Sequence, residues 1–546
     1  MYILFLPGNK QKFFTTFPYS FFVTDFSNYD RNVFLVKLDR MIDRGALLSR
    51  YSRASELDIR DVYRKEFSGN EKKGEDFYRR VFVEYGDESI AELVTAQVAV
   101  QNVSNIASKI MEELRVGLSF LEKSSRYVRY DRKSSGRYPF MDAETAGITG
   151  PNAADYEQYC NDLFDFYSRN YEAAQNFFKR KFPLDGMLFS EGPSTMKISD
   201  AGEMERKTME KSYNSAVRAR ALDDLRFLLP GSTLTNIGIS GNGRSFINLI
   251  QKLQSTGLPE AVKLASELYS ELSTELPELL KSAVSDHGKE LIRYMSGLAN
   301  FSAQPDFDVT AQPQTVTLLE SDDRRKALVR SLSIYEFSCG YGDLQTLMLS
   351  NGEMQDHMLG EKIRRLADMR ENRRHKLHRA FESVWYLFQI NTNYGAFRDL
   401  QRHRFISIVR KPLTALYGYD TPDLFQDSGE FHELMQRGKE LWKAIVKKDG
   451  PMIAQYSVPY AYRYPVSAYL NLRELTFFCE LRATPQAHYD LRRIASDMYG
   501  AVKSVHPELS SLLKFVDTSD YALGRLKSEH MKERKLRDIN ENVEKM

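Results

Sequence analysis

A chain of 546 residues exceeds what one ordinary hydrophobic core serves and implies two or three domains. Apolar residues make up 42% and charged residues 27%, the balance of a globular protein, and a net charge of only +2 excludes a global basic field for nucleic acid. Three distant cysteines, Cys160, Cys339 and Cys479, exclude a disulfide framework or a CxxC zinc pair, and no apolar run approaches the roughly 20 residues of a membrane span, so a cytoplasmic protein without membrane contact is expected.

Residues 1–40 open with MYILFLPGNKQKFFTTFPYSFF, which lacks a basic n-region and a small-residue cleavage site. They read as an N-terminal extension, with Met41 as an alternative start. GALLSRYSRASELDIRDVYRKEF (45–67) has an apolar pattern that returns in KALVRSLSIYEFSCGYGDLQTLM (326–348). GDESIAEL (86–93) leads into VTAQVAV, whose alternation predicts a strand, and then into SNIASKIMEEL, whose period predicts a helix. The stretch 88–110 matches HRAFESVWYLFQINTNYGAFRDL (378–400), with Glu92 over Glu382. EKSSRY then supplies Glu122, Ser124, Ser125, Arg126 and Tyr127. Within 130–205, YCNDLFDFYSRNYEAAQNFF predicts an amphipathic helix in a stretch longer than its later counterpart.

LLPGSTLTNIGISGNGRSFINLIQKL (228–253) lies over SVPYAYRYPVSAYLNLRELTFFCELR (457–482). The spacing from Pro230 to Asn242 equals that from Pro459 to Asn471, and each asparagine opens N-x-R. KLASELY (263–269) matches RIASDMY (493–499). Two copies of one α+β unit are therefore expected at 41–297 and 321–530, joined by a Gln- and Pro-rich linker at 298–320 and followed by a charged tail at 531–546. In each copy a helix, a strand, a motif-bearing helix, a loop and two helices follow in order.

RDLQRHRFIS (398–407) sets Arg402, His403 and Arg404 side by side, with Ser407 three residues on. Such a cluster repels itself unless something negative sits among it. Taken alone it is equally a solvated basic helix face. His375 and His378 have helical spacing but no carboxylate partner, so they read as surface residues and no metal is expected.

The order of these motifs resembles the flavin-dependent thymidylate synthases, whose signature is RHR-x-x-S-x-N-x-x-S-x-R-Y. The second copy keeps Arg402, His403, Arg404 and Ser407; the first keeps Ser124, Arg126 and Tyr127. The RHR slot of the first copy falls on Glu112–Leu114 counting from Glu92, or on Leu114–Val116 counting back from Ser124, which implies a two-residue insertion. Only the first copy has an arginine, Arg226, four residues before the LP proline, where the second has Gln455. Only the first has Asn248 after Asn242 and Arg244; the second has Phe477. Only the second has the late arginine, Arg482, where the first has Leu253. GDESIAEL keeps Gly86, Ser89 and Glu92 of the family's GHxSxxEH but has Asp87 and Leu93 for its histidines.

Active sites in that family form between subunits, so complementary losses imply one composite site between the copies and an abandoned counterpart. The resemblance implies an antiparallel sheet with long helices and the FAD-dependent conversion of dUMP to dTMP with methylenetetrahydrofolate and NADPH. A homodimer would imitate the family's tetramer. It implies Glu122, Ser124, Ser125, Arg126, Arg226 and Arg482 on the nucleotide. Ser89, Asn242, Arg244, Asn248, Arg402, His403, Arg404 and Ser407 would lie on the flavin, and Arg482 and Arg402 would serve the chemistry. Guanidinium forks suit a phosphate, and a fixed cation stabilises charge developing on the pyrimidine carbonyls. No cysteine sits among cations as a thiolate nucleophile requires, which fits the flavin route. The alternative is a homologue that binds a nucleotide or flavin without making dTMP. A nucleic-acid-binding module is disfavoured because no basic stripe exists.

Overall fold

The computed structural model describes residues 25–69, 72–85, 88–191, 194–300, 315–340 and 342–544. Gly86 and Asp87, and the side chain of Ser89, lie outside the described residues.

The first copy begins with helix α1 (Met41–Tyr51). Strand β1 (Thr95–Ser104) then runs into α2 (Asn105–Met111), and β2 (Leu118–Glu122) comes after it. Two long helices come next, α3 (Pro151–Lys181) and α4 (Glu203–Leu225). Pro151 starts α3, where its fixed φ and missing N–H cost nothing. Strand β3 (Leu234–Asn242), α5 (Gly243–Ser255) and α6 (Pro259–Glu275) complete the unit. The sheet is antiparallel with order β1-β3-β2.

The second copy has an added edge strand, β4 (Thr315–Ser321), which comes from the end of the expected linker. Helix α7 (Arg324–Cys339) is next, then β5 (Trp385–Asn393), α8 (Tyr394–Leu400) and β6 (Ser407–Val409). Helix α9 (Gly429–Asp449) stands for α3, and a single turn at Pro451–Ala454 stands where the first copy has all of α4. Strand β7 (Arg463–Asn471), α10 (Leu472–Arg482) and α11 (Tyr489–Val505) repeat β3, α5 and α6. The sheet order is β4-β5-β7-β6, again antiparallel. Helix α12 (Leu526–Glu544) carries residues 531–544 of the charged tail and packs back on α4, burying His530 against Phe189. No described helix is long and apolar enough to cross a membrane.

The same chemistry starts the same helices in both copies. Ser104 and Asn393 accept the Ala107 and Ala396 N–H groups at 3.0 and 2.9 Å; Asn242 and Asn471 accept those of Ser245 and Glu474 at 2.9 Å. Each side chain satisfies one of the orphan donors at a helix N-terminus.

Strand register locates both inserted residues. Thr95 faces Asn242 as Trp385 faces Asn471, yet β1 has ten residues where β5 has nine. The extra one is a bulge between Val100 and Val103, where Asn102 takes φ +54°. Ser119 pairs with Ser240 as Ser407 pairs with Tyr469, and the path from α2 to β2 holds the second extra residue, in a turn through Gly117 at φ +78°. A Cβ there would lie 2.0 Å from the Ser245 hydroxyl. Glu113, Leu114 and Arg115 therefore occupy the places of Arg402, His403 and Arg404: the Leu114 N–H donates to the Met111 carbonyl as that of His403 does to Leu400, and Arg115 donates to Ile406 as Arg404 does to Leu118.

The copies meet about a pseudo-twofold axis through the paired prolines Pro230 and Pro459. The Gly231 N–H donates to the Val458 carbonyl at 2.8 Å, and Tyr460 donates to Leu229 at 2.9 Å. Ser232 donates to Tyr456 at 3.1 Å, and Ala461 to Phe227 at 3.0 Å. Each bond has its counterpart with the copies exchanged.

Candidate functional site

Four arginines, two from each copy, gather around Asp399. Arg226, on the turn after α4, places Nη1 3.5 Å from Oδ2 of Asp399; Arg402 places Nε 3.7 Å from Oδ1. Arg482, the last residue of α10, donates from Nη2 to the Asp399 carbonyl at 3.2 Å. Arg126, on the loop after β2, joins Arg226, Arg402 and Arg482 in holding the Asp399 carboxyl well below the usual range, against burial that would raise it. The internal anion faced by RHR thus lies in the same heptapeptide, three residues before Arg402. The motif itself is a turn beyond α8 rather than part of the helix.

His403 is not a third cation. The Arg482 Nε–H donates to its Nε2 at 2.7 Å, so the proton sits on Nδ1, which faces Oε1 of Glu474 at 3.2 Å. Burial against Phe477 and Phe478, aided by Arg482, lowers its pKa and keeps it neutral, although the Glu474 contact opposes this. Its function in the geometry is to fix one edge of Arg482. Burial also depresses Arg482, with Asp399 opposing and Arg402 and Arg126 adding to the depression.

Arg126 spends two donors on Asp223, Nε to Oδ1 at 2.8 Å and Nη2 to Oδ2 at 3.0 Å. Arg525, ahead of α12, approaches the same carboxylate at 3.3 Å and lies over the Tyr127 ring. Arg126, Arg226, Arg402, Arg482 and Arg525 face Asp223 and Asp399, a surplus of three positive charges. Ser124 accepts the Arg126 N–H at 3.3 Å, closing the S-x-R turn.

Glu122 and Ser125 lie deeper than a loop carboxylate and a loop serine would. Glu122 accepts from Lys109 Nζ at 2.8 Å, from Ser108 at 3.1 Å and from Arg398 of the second copy at 2.9 Å. Arg398 also donates to Ser125 at 3.1 Å. Burial would raise the Glu122 pKa, but Arg398 and Lys109 bring it to about 2. These residues bolt the copies together directly beneath the arginines. The motif turn is locked from both sides: Arg115 donates to the Ile406 carbonyl at 3.0 Å and to Ser407 at 3.2 Å, and Arg404 donates to the Leu118 carbonyl at 2.6 Å.

The expected flavin residues of the first copy form a separate, more open group. Arg244 pairs with Glu92 at 3.0 Å, as Arg473 pairs with Glu382 at 2.8 Å, and Asn248 is exposed on α5. Asn242 is committed to capping α5 through its oxygen.

A family model described as thymidylate synthase complementing protein matches residues 43–278 and 345–508, one segment in each copy. The chain belongs to this family, the flavin-dependent thymidylate synthases. It is a tandem duplicate within it, and its relatives share that length. The UPF0159 protein Ta1429 of Thermoplasma acidophilum is 50% identical over 90% of this chain and 98% of its own. The UPF0159 protein of Chlamydia muridarum is 34% identical over 93% of this chain and 96% of its own. Two solved structures are similar at lower levels. The UMP/dUMP methylase PolB from Streptomyces cacaoi, bound with 5-Br dUMP, is 17% identical with TM-score 0.30 over 39% of this chain and 99% of its own. The flavin-dependent thymidylate synthase of Helicobacter pylori, complexed with FAD and dUMP, is 19% identical with TM-score 0.27 over 37% and 99%.

Sequence reasoning missed Asp399, Arg398 and Arg525. Asp399 was visible in RDLQRHR as an acid one helical turn before Arg402. The other two act across the copy boundary, which leaves no local signal.

Proposed function

We propose that the protein is an FAD-dependent thymidylate synthase that methylates dUMP to dTMP with methylenetetrahydrofolate and NADPH, at one composite site per chain. The observation that carries this is the convergence of Arg126 and Arg226 from one copy with Arg402 and Arg482 from the other. Arg226, with Arg126 and the Ser124 turn, holds the nucleotide phosphate. Arg482, braced by neutral His403, presents its guanidinium where negative charge develops on the pyrimidine carbonyls. Glu122 and Ser125 act one layer below, through Arg398.

The flavin side, with exposed Arg402 and Arg404 and the more open Arg244 and Asn248, suits a diphosphate; Ser89, Asn242 and Ser407 belong to the same proposed set, and His403 serves it only through its hold on Arg482. When bound and reduced, the flavin supplies the hydride. Two chains form a homodimer with two such sites. The purified protein should be yellow, bleach with NADPH, and recolour on adding dUMP and methylenetetrahydrofolate. It should also rescue a thymidine auxotroph.

A second reading has one observation in its favour: Asp223 and Asp399 already engage Arg126 and Arg226. A homologue that binds a nucleotide or flavin without making dTMP would fit that arrangement. A colourless preparation that ignores added FAD supports it over the first.

A further inference from the structure

Several buried polar atoms beside Asp399 have no hydrogen-bond partner: Nε and Nη2 of Arg226, Oδ2 of Asp399, and Nε2 of His488. Leaving a buried donor unpaired costs roughly 1–3 kcal/mol, and here four such atoms cluster beside the arginines of the composite site, where a ligand's polar atoms would pair with them. His488 caps α11. Its Nδ1 accepts the Asp490 N–H at 3.2 Å, so in the neutral ring the proton sits on Nε2, and this N–H is the orphan. The ring lies tilted by 30° against Tyr489, with centroids 4.1 Å apart, and stacks at 6.3 Å on Phe227, the neighbour of Arg226. Burial first, then the adjacent Arg226, pushes its pKa well below the usual histidine value, so it is an uncharged donor at neutral pH.

Arg226 shares the same closed end of the site. A Cβ at Gly395 would sit 3.2 Å from its Nε and 3.4 Å from Nη2, so a side chain at this position would crowd that edge. Side-chain exposure falls from 46% at Arg402 to 12% at Arg126, 8% at Asp399, 2% at Arg226 and 0% at His488, which orders the site from mouth to floor.

We propose that His488 is a ligand-binding residue: its Nε2–H and the free edge of Arg226 together grip the non-bridging oxygens of a phosphoryl group. This deepens the nucleotide reading above and rests on it. A neutral N–H suits this place because two carboxylates and several guanidiniums already set the local charge, and a further cation would have to be desolvated at the floor. Asp399 Oδ2, the orphan acceptor, is left to take a hydroxyl or imide N–H from the same ligand.

The test uses the full chain with its histidines labelled with 15N and three probes: dUMP, deoxyuridine and inorganic phosphate. The His488 Nε2–H resonance, assigned by its loss in His488→Phe, should move on saturation with dUMP and with phosphate and stay put with deoxyuridine. His488→Phe should weaken dUMP binding about tenfold or more, and His488→Gln, which retains an N–H donor, should recover most of it. A resonance moved by phosphate in a protein that ignores dUMP would refute the nucleotide reading while upholding the phosphoryl cradle. A resonance unmoved by both anions, or equal dUMP affinity in wild type and His488→Phe, would overturn the inference.

Discussion

The composite site and its pseudo-symmetric counterpart are built from the same elements and have opposite chemistry. At the counterpart, Ile110 occupies the place of Asp399, Leu253 that of Arg482, Gln455 that of Arg226 and Thr414 that of Arg126. Ile110 and Leu253 belong to the hydrophobic core. Gln455 is consumed internally, accepting the Leu413 N–H at 2.9 Å and donating to the Met452 carbonyl at 3.0 Å. One end of the interface holds orphan donors and surplus charge; the other is filled and satisfied. In a symmetric homo-oligomer any substitution appears in both sites, so no such trade is open to it. Fusing the copies lets one site become core, each buried aliphatic side chain contributing about 1.5–3 kcal/mol, while the other keeps its unfavourable charge cluster.

The sharpest way to break this comparison is to exchange its members. Arg226→Ala should lower dTMP formation at least about a hundredfold, since it removes a preorganised charged donor, whereas Gln455→Ala should leave the rate within about twofold. Equal losses in a tritium-release assay would mean that both sites work. Stability should reverse the order: Leu253→Ala should cost about 2–5 kcal/mol in urea unfolding with kcat kept, while Arg482→Leu should abolish turnover with stability nearly unchanged. Glu122, gripped by Lys109 and Arg398, tests the bolt between the copies, and Glu122→Gln should cost about 3–5 kcal/mol. Its pKa is depressed from 4.5 to about 2, so its stabilisation is complete above pH 4.5 and is lost as the pH falls toward 2. Wild type should lose stability across that window more steeply than Glu122→Gln. The smallest effect belongs to the paired surface bridges. Arg244→Ala and Arg473→Ala should each cost no more than about 1 kcal/mol, but only Arg244→Ala should weaken FAD binding in a flavin titration.

Much of this was legible in the chain. The duplication, the helix caps and the complementary losses are local patterns: Asn242 and Asn471 each stand at the junction between an alternating run and a helical one, and Arg226 against Gln455 is visible by alignment of the two prolines. The two-residue insertion was countable but not placeable, because a bulge at Asn102 and a turn at Gly117 leave the apolar pattern intact. The charge of the RHR segment misled. It reads as three like charges, whereas burial and the Arg482 contact make His403 neutral, and Asp399, inside the same stretch, supplies the anion. The burial of Glu122 has no local signal because its partner Arg398 lies 276 residues away. His488 and Arg525 carry no motif at all, and only the folded interface of the copies gives them neighbours.

The proposed function, with one composite site and one filled counterpart, fixes the stoichiometry. Isothermal titration of the FAD-loaded chain with dUMP should give one nucleotide per chain. Two per chain, or none, would contradict it.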